Sequence, residues 1–167
     1  MLHEGRRDEA VPHFAPGTGP HILLLEARFY ADIADEIMAA AIHEIEKVGG
    51  SYERISVPGC LEIPCALSLA LESNTLRPFE GCVALGCVIR GKTSHYEIVC
   101  EQSAAGLQSL ALAHLLPVGN GILTVENMDQ ARERAAVTGE NRGGMAARAC
   151  LGMIDLKRRL LSGATGV

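Results

Sequence analysis

The sequence has 167 residues, of which 48% are hydrophobic and 21% are charged, and its formal net charge is −5. A chain of this length buries a sizeable core without disulfides, and this composition excludes a disordered or low-complexity protein. The acidic balance argues against nucleic-acid binding through overall charge, but it is compatible with a local basic site for a small anion.

The first twenty residues carry Pro12, Pro16 and Pro20 among charged residues and glycines, and they show no periodicity. We expect residues 1–20 to form a flexible extension, part of which is a candidate to pair with a neighbouring subunit. Residues 21–167 are expected to form a single domain, since domains cluster near roughly 100–150 residues.

From residue 21 onwards, short apolar runs alternate with segments of helical spacing. Strands are predicted over 21–25, 52–57, 82–89 and 121–125, and helices over 32–48, 62–71, 93–116, 127–136 and from a glycine-containing break at 139–144 to near 159. This alternation predicts a parallel α/β sheet with helices on both faces and ligands bound at the carboxyl ends of its strands.

The segment after the third predicted strand is the richest in chemistry. Gly91 permits a sharp turn, Lys92 adds positive charge, and Thr93 opens a helix whose free N–H groups suit an anion. His95 lies one turn into that helix and is either a surface histidine or a proton carrier facing the same pocket. The neighbouring anion site favours the functional interpretation.

Residues 86–93 also match the phosphate-binding pattern G-x-x-x-x-G-K-[ST] letter for letter. That match would make the chain a nucleotide-dependent phosphotransferase. However, Val88 and Ile89 are β-branched and favour an extended strand, whereas a P-loop must curl around its phosphates. The nucleotide hypothesis is therefore the weaker alternative.

Three further kinds of residue are candidates for binding. Glu62 begins a predicted helix and is either a capping carboxylate or a hydrogen-bond acceptor for a polyol or amine. Phe29 follows the first strand and either packs at the rim or stacks on a planar ligand. The arginines of the last third lie on solvated helix faces, and one or two of them are candidates for phosphate binding: Arg132, Arg134, Arg142 and Arg148.

The six cysteines contain no C-x-x-C pair and no zinc-finger spacing, and most lie in apolar runs. This pattern is typical of buried free thiols in a reducing compartment. No signal-peptide pattern begins the chain, and no apolar run approaches the roughly 18 residues of a membrane span. We therefore expect a soluble, cytoplasmic protein.

Three stretches stand where predicted strands end: V-P-G-C-L-E-I-P at 57–64, G-C-V-I-R-G-K-T-S-H-Y at 86–96 and G-I-L-T-V-E-N at 121–127. E-A-R-F at 26–29 and N-R-G-G at 141–144 extend the pattern over roughly residues 21–160. Together they resemble the 6,7-dimethyl-8-ribityllumazine synthase family of riboflavin biosynthesis. The resemblance implies a three-layer α-β-α sandwich with a four-stranded parallel, flavodoxin-like sheet, and it makes the P-loop match a coincidence.

The resemblance further implies the condensation of 5-amino-6-ribitylamino-2,4(1H,3H)-pyrimidinedione with 3,4-dihydroxy-2-butanone 4-phosphate, without a metal or organic cofactor. Phosphate and water leave as the ring closes. By this resemblance Phe29 stacks on the pyrimidine, and His95 is the proton carrier. Three residues would hold the ribityl chain (Cys60, Leu61 and Glu62), and three would meet the ring edge (Cys87, Val88 and Ile89).

The same resemblance implies a site shared between subunits. Lys92 and Thr93 would cradle the phosphate together with Arg134 of a neighbour, which would also supply Asn120 and Arg142. A shared site requires a homo-oligomer. We expect a homopentamer, because proline removes a backbone donor and would hinder the tail at a contact between pentamers. A decamer and a 60-subunit shell are the alternatives.

Several positions depart from the commoner family pattern. Cys60 replaces a usual Ala, Cys87 a usual Thr, and Arg142 a usual Lys. Lys92 stands where Ala or Glu is frequent, and Asn120 stands where many members have an aromatic residue. The stacking aromatic, the histidine and the phosphate arginine are all present, so we expect activity. A non-catalytic lumazine- or flavin-binding homologue, or a storage shell, is the alternative of a different class.

Overall fold

The computed structural model describes residues 11–162. Its strands are β1 (His21–Ala27), β2 (Ser51–Val57), β3 (Gly81–Ile89) and β4 (Val118–Val125). Its helices are α1 (Ala31–Lys47), α2 (Ile63–Leu71), α3 (His95–Ala113), α4 (Met128–Ala135) and α5 (Arg142–Leu161), and a short 3₁₀ turn at Cys60–Glu62 precedes α2.

The four strands form one parallel sheet in the spatial order β2-β1-β3-β4. Leu25 on β1 lies opposite Ile55 on β2 and Ala84 on β3, and Leu85 on β3 lies opposite Gly121 on β4. This is the strand order of flavodoxin-like folds. The predicted fold class is therefore confirmed.

The two faces of the sheet have separate cores, because successive residues of a strand point to opposite sides. Ile22 and Leu24 of β1 pack in one core with α1, α4 and α5. Leu23 and Leu25 pack in the other core with α2 and α3. With both faces covered, β1 is a continuous apolar run apart from His21 and Glu26, and all seven of its residues are buried.

Several element boundaries differ from the prediction. The prediction that Thr93 opens α3 is wrong: the helix runs from His95 to Ala113, so Thr93 lies in the loop before it.

Two other differences have physical reasons in the contacts of the segment. Strand β4 begins three residues early, at Val118, because Val118 and Gly119 pair with Cys82 and Val83 of β3. The absence of a side chain at Gly119 also lets α5 pack closely, since a Cβ there would lie 2.0 Å from the Ala146 carbonyl oxygen. Helix α5 begins at Arg142 and includes two glycines of the predicted break. It begins there because Asn141, at φ 48°, accepts a 3.1 Å hydrogen bond from Gly144 N–H.

Part of the predicted extension lies against the domain. Phe14 is buried in the core on the α5 side, and the Arg158 guanidinium lies 5.0 Å from the centre of its ring. Arg158 also donates to the Thr18 carbonyl oxygen at 2.8 Å. Residues 1–10 lie outside the described residues, and pairing of the extension with a neighbouring subunit stays a prediction.

Candidate active site

A pocket of about 400 Å³ opens at the carboxyl edge of the sheet, between the ends of β1 and β3, the 3₁₀ turn and the start of α3. We call it the aromatic pocket. Its lining includes eight residues that the sequence singled out: Phe29, Cys60, Leu61, Glu62, Cys87, Val88, Ile89 and His95. Segments that are distant in the chain meet here because the strands are parallel and their carboxyl ends share one edge.

Phe29 lies on the short connection between β1 and α1 and is 75% exposed. Its ring packs edge-on against Tyr30, with centroids 5.0 Å apart. The neighbouring Arg28 donates to Asp35 at 2.6 Å and to Glu26 at 3.2 Å, which fixes the backbone beside the ring. This arrangement leaves most of the Phe29 ring free to stack on a planar ligand.

Glu26, at the end of β1, is a buried carboxylate beneath this connection. Burial acts to raise the pKa of Glu26, but hydrogen bonds from Ser56 (2.8 Å) and Arg54 (2.9 Å) outweigh it and hold the pKa below its usual value. The charged Glu26 therefore joins β1 to β2 near the carboxyl ends of the two strands. The sequence offered only the E-A-R-F motif as a hint of this role.

The floor of the aromatic pocket contains the buried thiols of Cys60 and Cys87. Burial raises the pKa of Cys60 to about 12 and the pKa of Cys87 to about 11. Both thiols are therefore protonated near neutral pH, and they fill space rather than act as nucleophiles. Cys82 and Cys150 are buried as well, as the sequence predicted for most cysteines, whereas Cys65 is exposed.

His95 is the first residue of α3, and its N–H points to Thr93 Oγ1 at 3.5 Å. The loop before it is anchored by Arg90, which pairs with Glu97 and Glu126 and stacks on the Tyr96 ring at 4.1 Å. Among the described residues, Lys92 and Thr93 lie exposed on this loop and are not part of the pocket lining.

The P-loop alternative is wrong for a structural reason. Gly86 to Ile89 lie within β3 and pair with Ile122 to Val125 of β4. This stretch is extended backbone inside the sheet, so its N–H groups cannot curl around a phosphate.

A second pocket of about 380 Å³ lies on the other side of β4, between that strand and helices α4 and α5. We call it the arginine pocket; it is lined by Asn120, Arg134 and Arg142 and shares no described lining residue with the aromatic pocket. Asn120 Oδ1 accepts a 3.0 Å hydrogen bond from Ile122 N–H. Apart from Lys92 and Thr93, which line neither pocket, the predicted site residues thus fall into two groups on one chain. The second group contains the residues that the sequence resemblance assigns to a neighbouring subunit.

A residue with no recognisable motif in the sequence, Glu140, contacts two of the arginines that line this pocket. The Glu140 carboxylate lies between Arg134, at 3.7 Å, and Arg142, at 2.6 Å. No motif in the sequence marks Glu140, because its contacts depend on how the turn between α4 and α5 folds. Over residues 11–162 the structure has no helix long and apolar enough to cross a membrane.

The fold and these pockets define a class: a flavodoxin-like α/β protein with a pocket at the carboxyl edge of its sheet and a basic pocket beside the edge strand β4. The family model described as 6,7-dimethyl-8-ribityllumazine synthase matches residues 19–158.

Curated relatives carry the same description. The protein from Azorhizobium caulinodans is 51% identical over 155 residues, which covers 92% of this chain and 96% of the relative. The protein from Agrobacterium fabrum is 49% identical over 143 residues, covering 84% and 97%. The protein from Bartonella tribocorum is 51% identical over 140 residues, covering 84% and 91%. This chain belongs to the 6,7-dimethyl-8-ribityllumazine synthase family.

Proposed function

We propose that this protein condenses 5-amino-6-ribitylamino-2,4(1H,3H)-pyrimidinedione with 3,4-dihydroxy-2-butanone 4-phosphate to form 6,7-dimethyl-8-ribityllumazine, releasing phosphate and water. The observation that carries the proposal is the aromatic pocket, in which an exposed ring, a carboxylate and a histidine meet. A substrate with a planar heterocycle, a polyol chain and exchangeable protons matches these three groups. This reaction is the penultimate step of riboflavin biosynthesis.

The pyrimidine occupies the aromatic pocket in this proposal. Its ring stacks on Phe29, which is exposed and held on one side by Tyr30. Glu62 accepts hydrogen bonds from the ribityl hydroxyls, beside Cys60 and Leu61 on the same 3₁₀ turn. The ring edge meets the last residues of β3: Cys87, Val88 and Ile89.

The butanone phosphate binds at the start of α3. The free N–H groups of a 19-residue helix and the positive charge of Lys92 both favour an anion there. Thr93 supplies a hydroxyl donor. His95 is the first residue of the helix and transfers protons between the condensing groups, a role that suits an imidazole near neutral pH.

Arg134, with Asn120 and Arg142, completes the site from a neighbouring subunit. Support comes from their position: all three line the arginine pocket, away from the aromatic pocket of the same chain. A contact in which the arginine pocket of one subunit faces the aromatic pocket of the next is head-to-tail, so it closes only as a ring. We propose a homopentamer.

Light scattering on the purified protein tests the assembly. Five chains of 17.7 kDa give a particle of about 90 kDa. A decamer, or a particle near a megadalton as expected for sixty chains, contradicts the pentamer. We place the protein in the cytoplasm, because its buried free thiols suit a reducing compartment.

Mixing both substrates with the protein and recording the lumazine absorption tests the activity. We expect product formation that depends on enzyme concentration, well above the uncatalysed background. A non-catalytic lumazine- or flavin-binding homologue would bind the product and leave the rate at background, which would refute the proposal.

A further inference from the structure

The turn between α4 and α5 brings three charged side chains into one contact. Arg134 lies in the last turn of α4, Arg142 is the first residue of α5, and Glu140 stands between them. Glu140 N–H donates to the Glu133 carbonyl oxygen at 3.0 Å, and Asn141 N–H donates to the Ala136 carbonyl oxygen at 3.1 Å. The backbone of the turn is therefore fixed independently of the Glu140 side chain.

The two carboxylate oxygens of Glu140 have different partners. Oε2 accepts from Arg142 through Nε at 2.7 Å and lies 2.6 Å from Nη2. Oε1 faces Arg134 Nη2 at 3.7 Å, which is an ion-pair distance and longer than a hydrogen bond. Glu140 thus contacts two nitrogens of the Arg142 guanidinium at short distance. Its contact with Arg134 is longer and involves one nitrogen.

We propose that Glu140 is a positioning residue that holds Arg134 and Arg142 ready for the substrate. A free arginine has many rotamers, and ordering it on binding weakens affinity. The Glu140 carboxylate orders both side chains before the substrate arrives and offsets the repulsion between their charges. This inference rests on the proposed function, because it concerns the phosphate arginine of that site.

The identity of Arg142 fits this arrangement. The planar guanidinium offers two neighbouring nitrogens to one carboxylate oxygen, which a lysine ammonium cannot match in geometry. Where the commoner family pattern has lysine, this chain has Arg142, and two of its guanidinium nitrogens contact Glu140 Oε2. We therefore expect Glu140 and Arg142 to act as a unit, so that changing both costs less than the sum of the single changes.

Kinetics of the Glu140→Ala variant test the proposal. We expect the KM for the butanone phosphate to rise by about three- to tenfold, with kcat and the KM for the pyrimidine within about twofold of wild type. The dissociation constant of inorganic phosphate, measured by calorimetry, should rise in parallel. Arg134→Ala sets the upper limit of the effect, and Glu140→Gln, which keeps the shape but removes the charge, should fall between wild type and Glu140→Ala.

Asp129→Ala is the matched control, since it removes one exposed carboxylate from α4, the helix that carries Arg134, and Asp129 pairs with Arg132 instead. An unchanged or tighter phosphate affinity in Glu140→Ala, or an effect equal to that of Asp129→Ala, overturns the proposal. If Glu140→Ala fails to assemble, the phosphate affinity of Glu140→Gln is compared with that of Asp129→Ala instead. A wild-type protein that makes no lumazine refutes the proposed function instead, while the phosphate affinities still decide the role of Glu140.

Discussion

Arg90 Nε donates a 2.7 Å hydrogen bond to Glu126 Oε2, and this contact joins the carboxyl end of β3 to that of β4. Arg90 also pairs with Glu97 on α3, and its backbone N–H bonds to the Val125 carbonyl oxygen at 2.9 Å. One arginine thus fixes the backbone immediately before the loop that carries Lys92 and leads into His95. In the sequence this segment is marked by its anion-binding residues, whereas no motif marks Arg90 as the residue that anchors it.

Replacing Arg90 with alanine should loosen that loop and lower turnover. We expect kcat/KM to fall by about tenfold, since small displacements of catalytic groups have large kinetic costs. Hydrogen exchange over residues 90–97 should increase at the same time. Arg159→Ala is the control, because it breaks an exposed pair with Asp155 on α5. Unchanged exchange and unchanged kinetics in Arg90→Ala would show that the contact does not order the loop.

The buried Glu26 predicts a pH-dependent stability. Because its pKa is lowered in the folded state, Glu26 stabilises the fold above its ordinary pKa of 4.5, and this stabilisation is lost as the pH falls below that value. Glu26→Gln should lower the free energy of unfolding by about 1–2 kcal/mol at pH 7, and the difference should shrink below pH 4.5.

Urea unfolding at fixed protein concentration measures this difference, with the exposed Glu36→Gln as the control. A gap between wild type and Glu26→Gln that stays constant from pH 7 to pH 3 would mean that Glu26 is not held in its charged form.

The thiols of the aromatic pocket should be slow to alkylate. A thiol whose pKa is about 12, as for Cys60, is a thiolate in roughly one molecule in ten thousand at pH 8. Iodoacetamide should therefore label the exposed Cys65 first in the folded protein, and Cys60 and Cys87 only after denaturation. Mass spectrometry of timed samples gives the rates. Equal labelling of Cys60 and Cys65 in the folded protein would contradict the burial of the Cys60 thiol.

His95→Ala should lower kcat by about 10²–10⁴-fold, the range typical of a positioned acid or base. Its assembly state should stay that of wild type, because the side chain is exposed at the start of α3. His114→Ala, at the other end of the same helix, is the control and should keep full activity. A kcat for His95→Ala within about twofold of wild type would remove His95 from the mechanism.

The element order and fold class were predictable because strands and helices place their apolar residues with different spacings along the sequence. Continuous apolar runs such as 21–25 belong to strands covered on both faces, and the spacing over 32–48 belongs to a helix with one buried side. The start of β4 was not predictable in the same way. Gly119 and Asn120 have low strand propensity, and only pairing with Val83 and Ala84 makes them extended.

The aromatic pocket was predictable because its residues lie at strand ends and in recognisable motifs. Its supporting contacts were not. Arg90 meets Glu126 across 36 residues, and Arg54 meets Glu26 across 28 residues. Such contacts depend on strand order and side-chain direction, which a single sequence does not specify, and the same holds for Glu140 within its turn.

Subunit complementation tests most directly that the protein condenses the two substrates in a site shared between neighbours. Arg134→Ala and His95→Ala each damage every site in a pure oligomer. After dissociation and reassembly at equal amounts, random mixing should leave about one quarter of the sites intact. The account predicts that lumazine formation recovers to about one quarter of the wild-type rate in mixed oligomers verified by native mass spectrometry. Activity no higher than that of the two separate variants would contradict it.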